Sequence, residues 1–293
     1  MSSSAPFDQR EGEIWYNNQW INWPDAKVHI LNHGLHYASS VFEGMRAYNG
    51  KIFKLTEHNE RFKRSAEILG FEIPYSVQEL DDASNAMIER LGITDGYIRP
   101  VAWRGSERMK IYAPGITVHT AIAAWEWPAY FSEDLYKTGI NMCWAKWKRP
   151  APDTAPTASK AAGLYMICTS SKQQAEADGY HDAMMKDYRG YLAEATGANV
   201  FLVIDGELHT PIPDCFLNGI TRQTVIRIAR DLGLEVHERH IMPEELANAD
   251  EVFITGTAAE ITPVGSIGEY RFTPAQVTHK LRTAYVDLVN GKS

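Results

Sequence analysis

Residues 156–165, Pro156-Thr157-Ala158-Ser159-Lys160-Ala161-Ala162-Gly163-Leu164-Tyr165 (PTASKAAGLY), set one lysine among small and apolar neighbours, with a tyrosine five places on. Lysine is rarely fully buried unless it is paired or used. Withdrawing its ammonium from water lowers the pKa until the neutral amine is a usable nucleophile. Lys160 is thus either a surface lysine or one that forms a Schiff base, and the rest of the chain has to decide between them.

At 293 residues the chain is long enough for two lobes, each burying its own core. No apolar run approaches the ~20 residues of a membrane helix. The start, MSSSAPFDQREGEIW, shows neither an apolar leader nor a basic transit pattern, so a cytoplasmic protein is expected. Cys143, Cys168 and Cys215 form no paired or CxxC pattern and read as reduced packing residues. A net charge of -8 disfavours a nucleic-acid partner, which calls for a basic footprint. The expected partner is a small molecule.

Hairpin signals dominate the first third. Asn17-Asn18 turns EIWYNNQWI and Asn49-Gly50 turns MRAYNGKIFKL, the second being a strong type I′ dipeptide. Two amphipathic helices follow, with His58, Phe62, Ala66 and Leu69 on one face and Leu80, Ala83, Met87 and Leu91 on the other's, the second stopping at Gly92. YIRPVAW and TVHTAIAAWEW read as strands. The expected division is a small N-terminal α/β domain over 1–126, a connector over 127–138 with a proline and no clear period, and a larger domain over 139–293. In that larger domain GINMCWAKW reads as a strand and GLYMICTSSKQQAEADG as a helix. Asp205-Gly206 reads as a strand turn, ITRQTVIRIARDLG as a helix, DEVFITG as a buried strand and AQVTHKLRTAYVDLV as a closing helix.

Lys160 is expected between a strand and a helix. Further on, LAEATGANVF carries the lone carboxylate of Glu194 among small residues, and such an acid needs a cationic or hydrogen-bonded partner. A buried Lys160–Glu194 ion pair would satisfy both groups. So would a pyridine cofactor: pyridoxal phosphate uses a lysine for substrate capture and an acid to keep its ring nitrogen protonated. Two glycine turns offer donors for a phosphate, Gly219-Ile220-Thr221 ahead of a helix and Gly256-Thr257-Ala258 after a strand. Each could also be an ordinary cap or strand exit. His33 and His36 at i, i+3 lack a third ligand at a supporting spacing, and no metal is expected. Thr157 stands where an S-x-x-K hydrolase needs its serine.

HGLHYASSVFEGMRAY, EHNERF, YIRP, PTASKAAGLY, EATGANVF, NGITR and DEVFITGTAAEITPV occur in this order over about Ile14 to Leu288. In combination they resemble the class IV, fold-type IV pyridoxal phosphate aminotransferases, nearest to the branched-chain amino-acid aminotransferases. The resemblance implies an α+β, two-domain fold like that of D-amino acid aminotransferase, with a mixed barrel-like sheet in the larger lobe. It implies that Lys160 forms the Schiff base and then shuttles the substrate's Cα proton, that Glu194 bonds the pyridine nitrogen, and that Tyr165 bonds the phenolic oxygen. Arg61, Gly219, Ile220, Thr221, Gly256 and Thr257 would hold the phosphate end. Tyr37, Phe42, Tyr97 and Arg99 would line the substrate pocket, and the N–H groups of Ala258 and Ala259 would meet the α-carboxylate. A ping-pong exchange between a branched-chain L-amino acid and 2-oxoglutarate in a homodimer or higher homo-oligomer follows from the same resemblance.

The loop VAWRGSERMKIYAPG departs from the family's apolar strand and Gly-Met loop by adding Arg104, Glu107, Arg108 and Lys110. That departure keeps two other activities of the scaffold in view: a transaminase of (R)-amines or D-amino acids using pyruvate, and a lyase of the aminodeoxychorismate type.

Overall fold

The computed structural model describes residues 6–127 and 133–292. The chain divides into two compact units, Met1–Pro128 with Ser159–Gly163, and Ala129–Ala158 with Leu164–Ser293. Of the expected connector at 127–138, residues 128–132 lie outside the described residues, and the rest includes a helix, Glu133–Thr138. The short segment bearing Lys160 groups with the first unit rather than with the C-terminal one.

The first unit is a sheet with two helices on one face. In chain order its elements are β1 (Glu13–Tyr16), β2 (Gln19–Asn22), α1 (His33–Tyr37), β3 (Ser40–Phe42), β4 (Met45–Tyr48), β5 (Lys51–Ile52), α2 (Leu55–Ile68), α3 (Val77–Leu91), β6 (Gly96–Arg104) and β7 (Val118–Glu126). The strands run β2-β1-β7-β6-β4-β5, with β3 also on β6. Both predicted hairpins form, and Asn17, Asn18, Asn49 and Gly50 all have positive φ (48, 61, 49 and 74°), as type I′ turns require. Alternation along β6 and β7 decides which side chains meet the helices. Ile98, Ala102, Ile122 and Ala124 pack with Phe62, Ala66, Leu80 and Met87 of α2 and α3, while Trp103 and Ala121 join Ile14 and Trp23 in a separate cluster. Helix α3 starts in a capping box between Ser76 and Glu79 and stops at Gly92 with φ 63°.

The second unit is built around a closed barrel. Its elements are α4 (Glu133–Thr138), β8 (Ile140–Trp144), α5 (Tyr165–Ala177), β9 (Asp182–Lys186), β10 (Leu192–Ala195), β11 (Asn199–Ile204), β12 (Glu207–Pro211), α6 (Ile220–Asp231), β13 (Val236–Arg239), β14 (Glu251–Gly256), β15 (Glu260–Ile267), β16 (Tyr270–Arg271) and α7 (Gln276–Val289). The order β10-β9-β8-β15-β14-β11 returns on itself through a β10–β11 pairing, so six strands close a ring. β8 runs parallel to β9 and β15 and the other rungs are antiparallel, which makes the barrel mixed. Met142, Met184, Leu192, Val200, Val252, Ile254 and Val264 are among the residues of its apolar core. The Asp205-Gly206 turn forms with φ 52 and 80°.

One local expectation is corrected. Lys160 does not directly follow a strand: β8 ends at Trp144, and Pro150, Pro152 and Pro156 keep the intervening chain irregular by withholding backbone donors. Lys160 instead lies between a turn at 157–158 and the short 3-10 turn Ala162–Leu164.

Candidate active site

Backbone pairing places Lys160. Ala161 bridges Val41 of β3, the Lys160 carbonyl accepts from the Phe42 N–H at 3.2 Å, and the Lys160 N–H donates to Ser65 Oγ of α2 at 3.0 Å. Ser159 Oγ donates to the Ser65 carbonyl at 2.8 Å. A single buried serine thus ties both residues to α2.

Around the lysine stand groups from several elements. Its Nζ lies 4.9 Å from the centroid of the Phe42 ring. Burial, and then the Arg61 guanidinium, hold its pKa below the ordinary lysine value, against the opposing pull of Glu43 and Tyr97. Arg61 is buried and gives its Nε and Nη2 to the two oxygens of Glu43 at 2.6 and 2.9 Å. His58, one turn earlier on α2, adds Nδ1 to the same carboxylate at 2.7 Å. Burial works against ionisation of Glu43, but Arg61 and His58 outweigh it and hold the carboxyl far below the usual range. The His58 pKa is depressed, chiefly by burial. His58 is therefore neutral near pH 7 and donates its Nδ1–H to Glu43.

On β6, Arg99 lies over the rings of Phe42 and Tyr97 at 4.9 and 5.2 Å, and its Nη2 donates to the Tyr97 hydroxyl at 3.2 Å. A cavity of about 440 Å³ is lined by Arg99 together with Tyr16, Leu35, Ser40, Val101 and Ala162, and Arg99 is its one charged lining residue among the described residues. The Tyr97 hydroxyl rests on Gly44, where an added Cβ would come within 1.9 Å of it. Tyr37 ends α1 and is exposed.

The second unit carries the remaining candidates. Glu194 on β10 is buried and opposite Asn199 on β11. Asn199 Nδ2 donates to Glu194 Oε2 at 3.3 Å and to the Leu217 carbonyl at 3.0 Å, while its Oδ1 accepts from the Gly219 N–H at 3.1 Å. One side chain thereby links the acid to the turn that begins α6. No side chain caps α6, so the first-turn N–H groups, including those of Ile220 and Thr221, point past the helix end with the positive end of its dipole. Arg149 Nε stands 3.4 Å from Glu194 Oε1. Burial disfavours the Arg149 charge, but Glu194, Cys168 and Tyr165 hold its pKa above the ordinary value. Tyr165 begins α5. Gly256, Thr257, Ala258 and Ala259 lie where β14 turns into β15, and Gly256 sits against the backbone of Gly197 and Ala198.

Residues the sequence does not single out are Glu43, His58 as more than an apolar-face residue, Ser65, and Arg149. A signal exists for two of them: Glu43 stands in an otherwise apolar VFEGM run, and His58 shares a helical face with Arg61. Both nitrogens of the His33 ring are engaged, with Nδ1 2.6 Å from Ser39 Oγ and Nε2 2.9 Å from the Lys110 carbonyl. The ring ties α1 to the unusual loop. Burial pushes the Cys168 and Cys215 thiols up to about 11 and about 12, consistent with packing roles.

A sheet-and-helix unit and a closed six-strand mixed barrel are the marks of a fold-type IV aminotransferase, and the chain belongs to the class IV aminotransferase family, whose profile matches residues 40–267. It is 41% identical over 293 residues to the branched-chain-amino-acid aminotransferase of Pseudomonas aeruginosa, covering 97% of this chain and 95% of that one. Among solved structures, the T.th. branched-chain amino acid aminotransferase with pyridoxamine 5'-phosphate superposes with a TM-score of 0.94 at 39% identity, covering 97% and 96% of the two chains. The branched-chain aminotransferase of the archaeon Thermoproteus uzoniensis, solved with norvaline, matches with a TM-score of 0.91 at 36% identity, covering 96% and 95%.

Proposed function

We propose that this protein transfers an amino group between a branched-chain L-amino acid and 2-oxoglutarate with pyridoxal phosphate as cofactor. The observation that carries the reading is the combination, in one family, of a lysine depressed by burial with a guanidinium laid on an aromatic wall. Lys160 suits an amine that must be neutral to attack. Arg99 over Phe42 suits a pocket that takes an apolar side chain in one half-reaction and a distal carboxylate in the other.

The residues fit the cofactor's chemistry. A phosphate needs uncapped N–H donors, which α6 offers at Ile220 and Thr221, which Gly219 frames while giving its own N–H to Asn199 Oδ1, and which the turn at Gly256 and Thr257 supplements. A protonated pyridine nitrogen needs an anionic acid. Arg149 beside Glu194 favours that ionised form. When bound, pyridoxal phosphate supplies an aldehyde for amine capture and a ring that accepts the electron pair left at Cα. In this reading Lys160 Nζ would hold the cofactor until the substrate amine displaces it, and the freed amine would then take the proton from substrate Cα and return it in the opposite half-reaction. Tyr165 bonds the phenolic oxygen, Tyr37, Phe42 and Tyr97 wall the pocket, Arg99 orients the γ-carboxylate of glutamate, and Ala258 and Ala259 N–H groups orient the α-carboxylate. The enzyme works as a homodimer or higher homo-oligomer in the cytoplasm.

The test is a donor screen on purified protein. L-Leucine and L-glutamate should each shift the cofactor absorbance, and leucine with 2-oxoglutarate should yield glutamate. A shift with an (R)-1-arylethylamine and none with L-leucine would overturn the reading.

A further inference from the structure

Arg61 is a long side chain whose direction would ordinarily be loose. Here one edge of its guanidinium is clamped: Nε and Nη2 meet the two oxygens of Glu43, and Glu43 is 0% exposed. A bidentate pair of this kind fixes the plane of the fork as well as its distance. Glu43 is itself fixed from two other sides, by His58 Nδ1 at 2.7 Å and by the Gly44 N–H at 3.2 Å. Its backbone N–H donates to the Pro100 carbonyl at 2.9 Å.

Stability alone is a poor reason for this set. Two ions and a histidine buried together cost desolvation that their mutual attraction does not reliably return, and an apolar cluster of the same volume often serves as well. The set also lies one helical turn from Ser65, whose Oγ accepts from the Lys160 N–H at 3.0 Å. We infer that Glu43, backed by His58, is a positioning residue that orients Arg61 toward the phosphate of the cofactor. The inference rests on the proposed cofactor reading. It adds a role for two residues in recognising the phosphate specifically, as distinct from the pyridine ring.

The experiment compares binding of pyridoxal phosphate with binding of pyridoxal, which lacks the phosphate, to the full-length apoprotein by equilibrium titration. Wild type should prefer pyridoxal phosphate. Glu43→Gln, which keeps the shape and removes the charge, should lower that preference about tenfold while pyridoxal binding stays nearly constant. His58→Gln, which leaves Glu43 and Arg61 in place, should lower it about threefold, and it serves if Glu43→Gln fails to fold. In an Arg61→Met background, Glu43→Gln should change the preference little, because a residue acting through Arg61 is not additive with its loss. Equal weakening of both ligands, or additive losses in the double variant, would overturn the inference. If wild type binds neither compound and borohydride fixes no pyridoxyl group on Lys160, the cofactor reading itself fails, a result distinct from either.

Discussion

Asn199 and Glu194 face each other across the β10–β11 rung, with Asn199 Nδ2 on Glu194 Oε2 at 3.3 Å and Asn199 Oδ1 on the Gly219 N–H at 3.1 Å. The asparagine thus serves an acid and a helix start at once. Asn199→Ala would leave a buried carboxylate oxygen and the turn short of partners, at a cost of about 1–3 kcal/mol. A fall of several degrees in the thermal midpoint and faster loss of cofactor on dialysis are expected. Gly219→Ala should show the same pair of effects, since its Cβ would fall 2.3 Å from Asn199 Oδ1. Unchanged retention in both variants would contradict the coupling.

Gly44→Ala should act on one substrate more than the other. The new methyl must displace the Tyr97 hydroxyl, which accepts from Arg99 Nη2. A misplaced Arg99 weakens recognition of a dicarboxylate, so KM for 2-oxoglutarate should rise about tenfold while KM for a branched-chain donor moves less. Steady-state kinetics with each substrate varied in turn would show it.

For Lys160 the sign follows from its lowered pKa. Below the ordinary lysine value the unfolded chain binds a proton more readily than the folded one, so the apoprotein gains stability as pH rises through that window. Lys160→Met should raise the apoprotein's thermal midpoint near pH 7 by a few degrees, while abolishing transamination. The gain should shrink as pH rises toward about 10. A variant less stable than wild type at pH 7 would show that the ammonium is not strained there.

Glu43 gives the same direction of slope in a different window. Its carboxyl is held far below the unfolded value of about 4.3, so its contribution is fully present above that value and is lost as acid titrates it. His58, also depressed, adds to the same trend below about pH 6.5, because the unfolded chain takes up the proton first. Glu43→Gln should flatten the acid limb of a stability-versus-pH curve between about pH 5 and 2. Parallel curves for wild type and variant would refute this.

The hairpin turns, the long helices and the strand at Glu251–Gly256 are legible because each is written locally, in Asn-Gly dipeptides, in 3.6-residue spacing, or in a continuous apolar run. Lys160 and Glu194 stand out as ionisable groups in dry surroundings, and the resemblance assigns their roles. Glu43 cannot be read the same way. Its meaning depends on α2 bringing His58 and Arg61 to it from 15 and 18 residues away. The helix at His33–Tyr37 escapes a sequence reading because HGLHY is too short for a period and starts on the Asn32 side chain, which accepts from the Leu35 N–H. Arg149 stands beside Lys148 just past the strand-like GINMCWAKW, where no local pattern marks it for burial, and only the fold buries it.

Closure of the barrel rests on the rung that joins Glu194 to Asn199. Such a seam is where a cylinder of strands would part first, because β10 and β11 meet there in one register pair while β11 and β14 share five. Gentle heating or dilute denaturant should therefore disarm the enzyme ahead of global melting, and hydrogen exchange should be faster at this seam than along β11 and β14. A bound cofactor would act as a latch on that opening, so that occupancy and mechanical integrity rise and fall together.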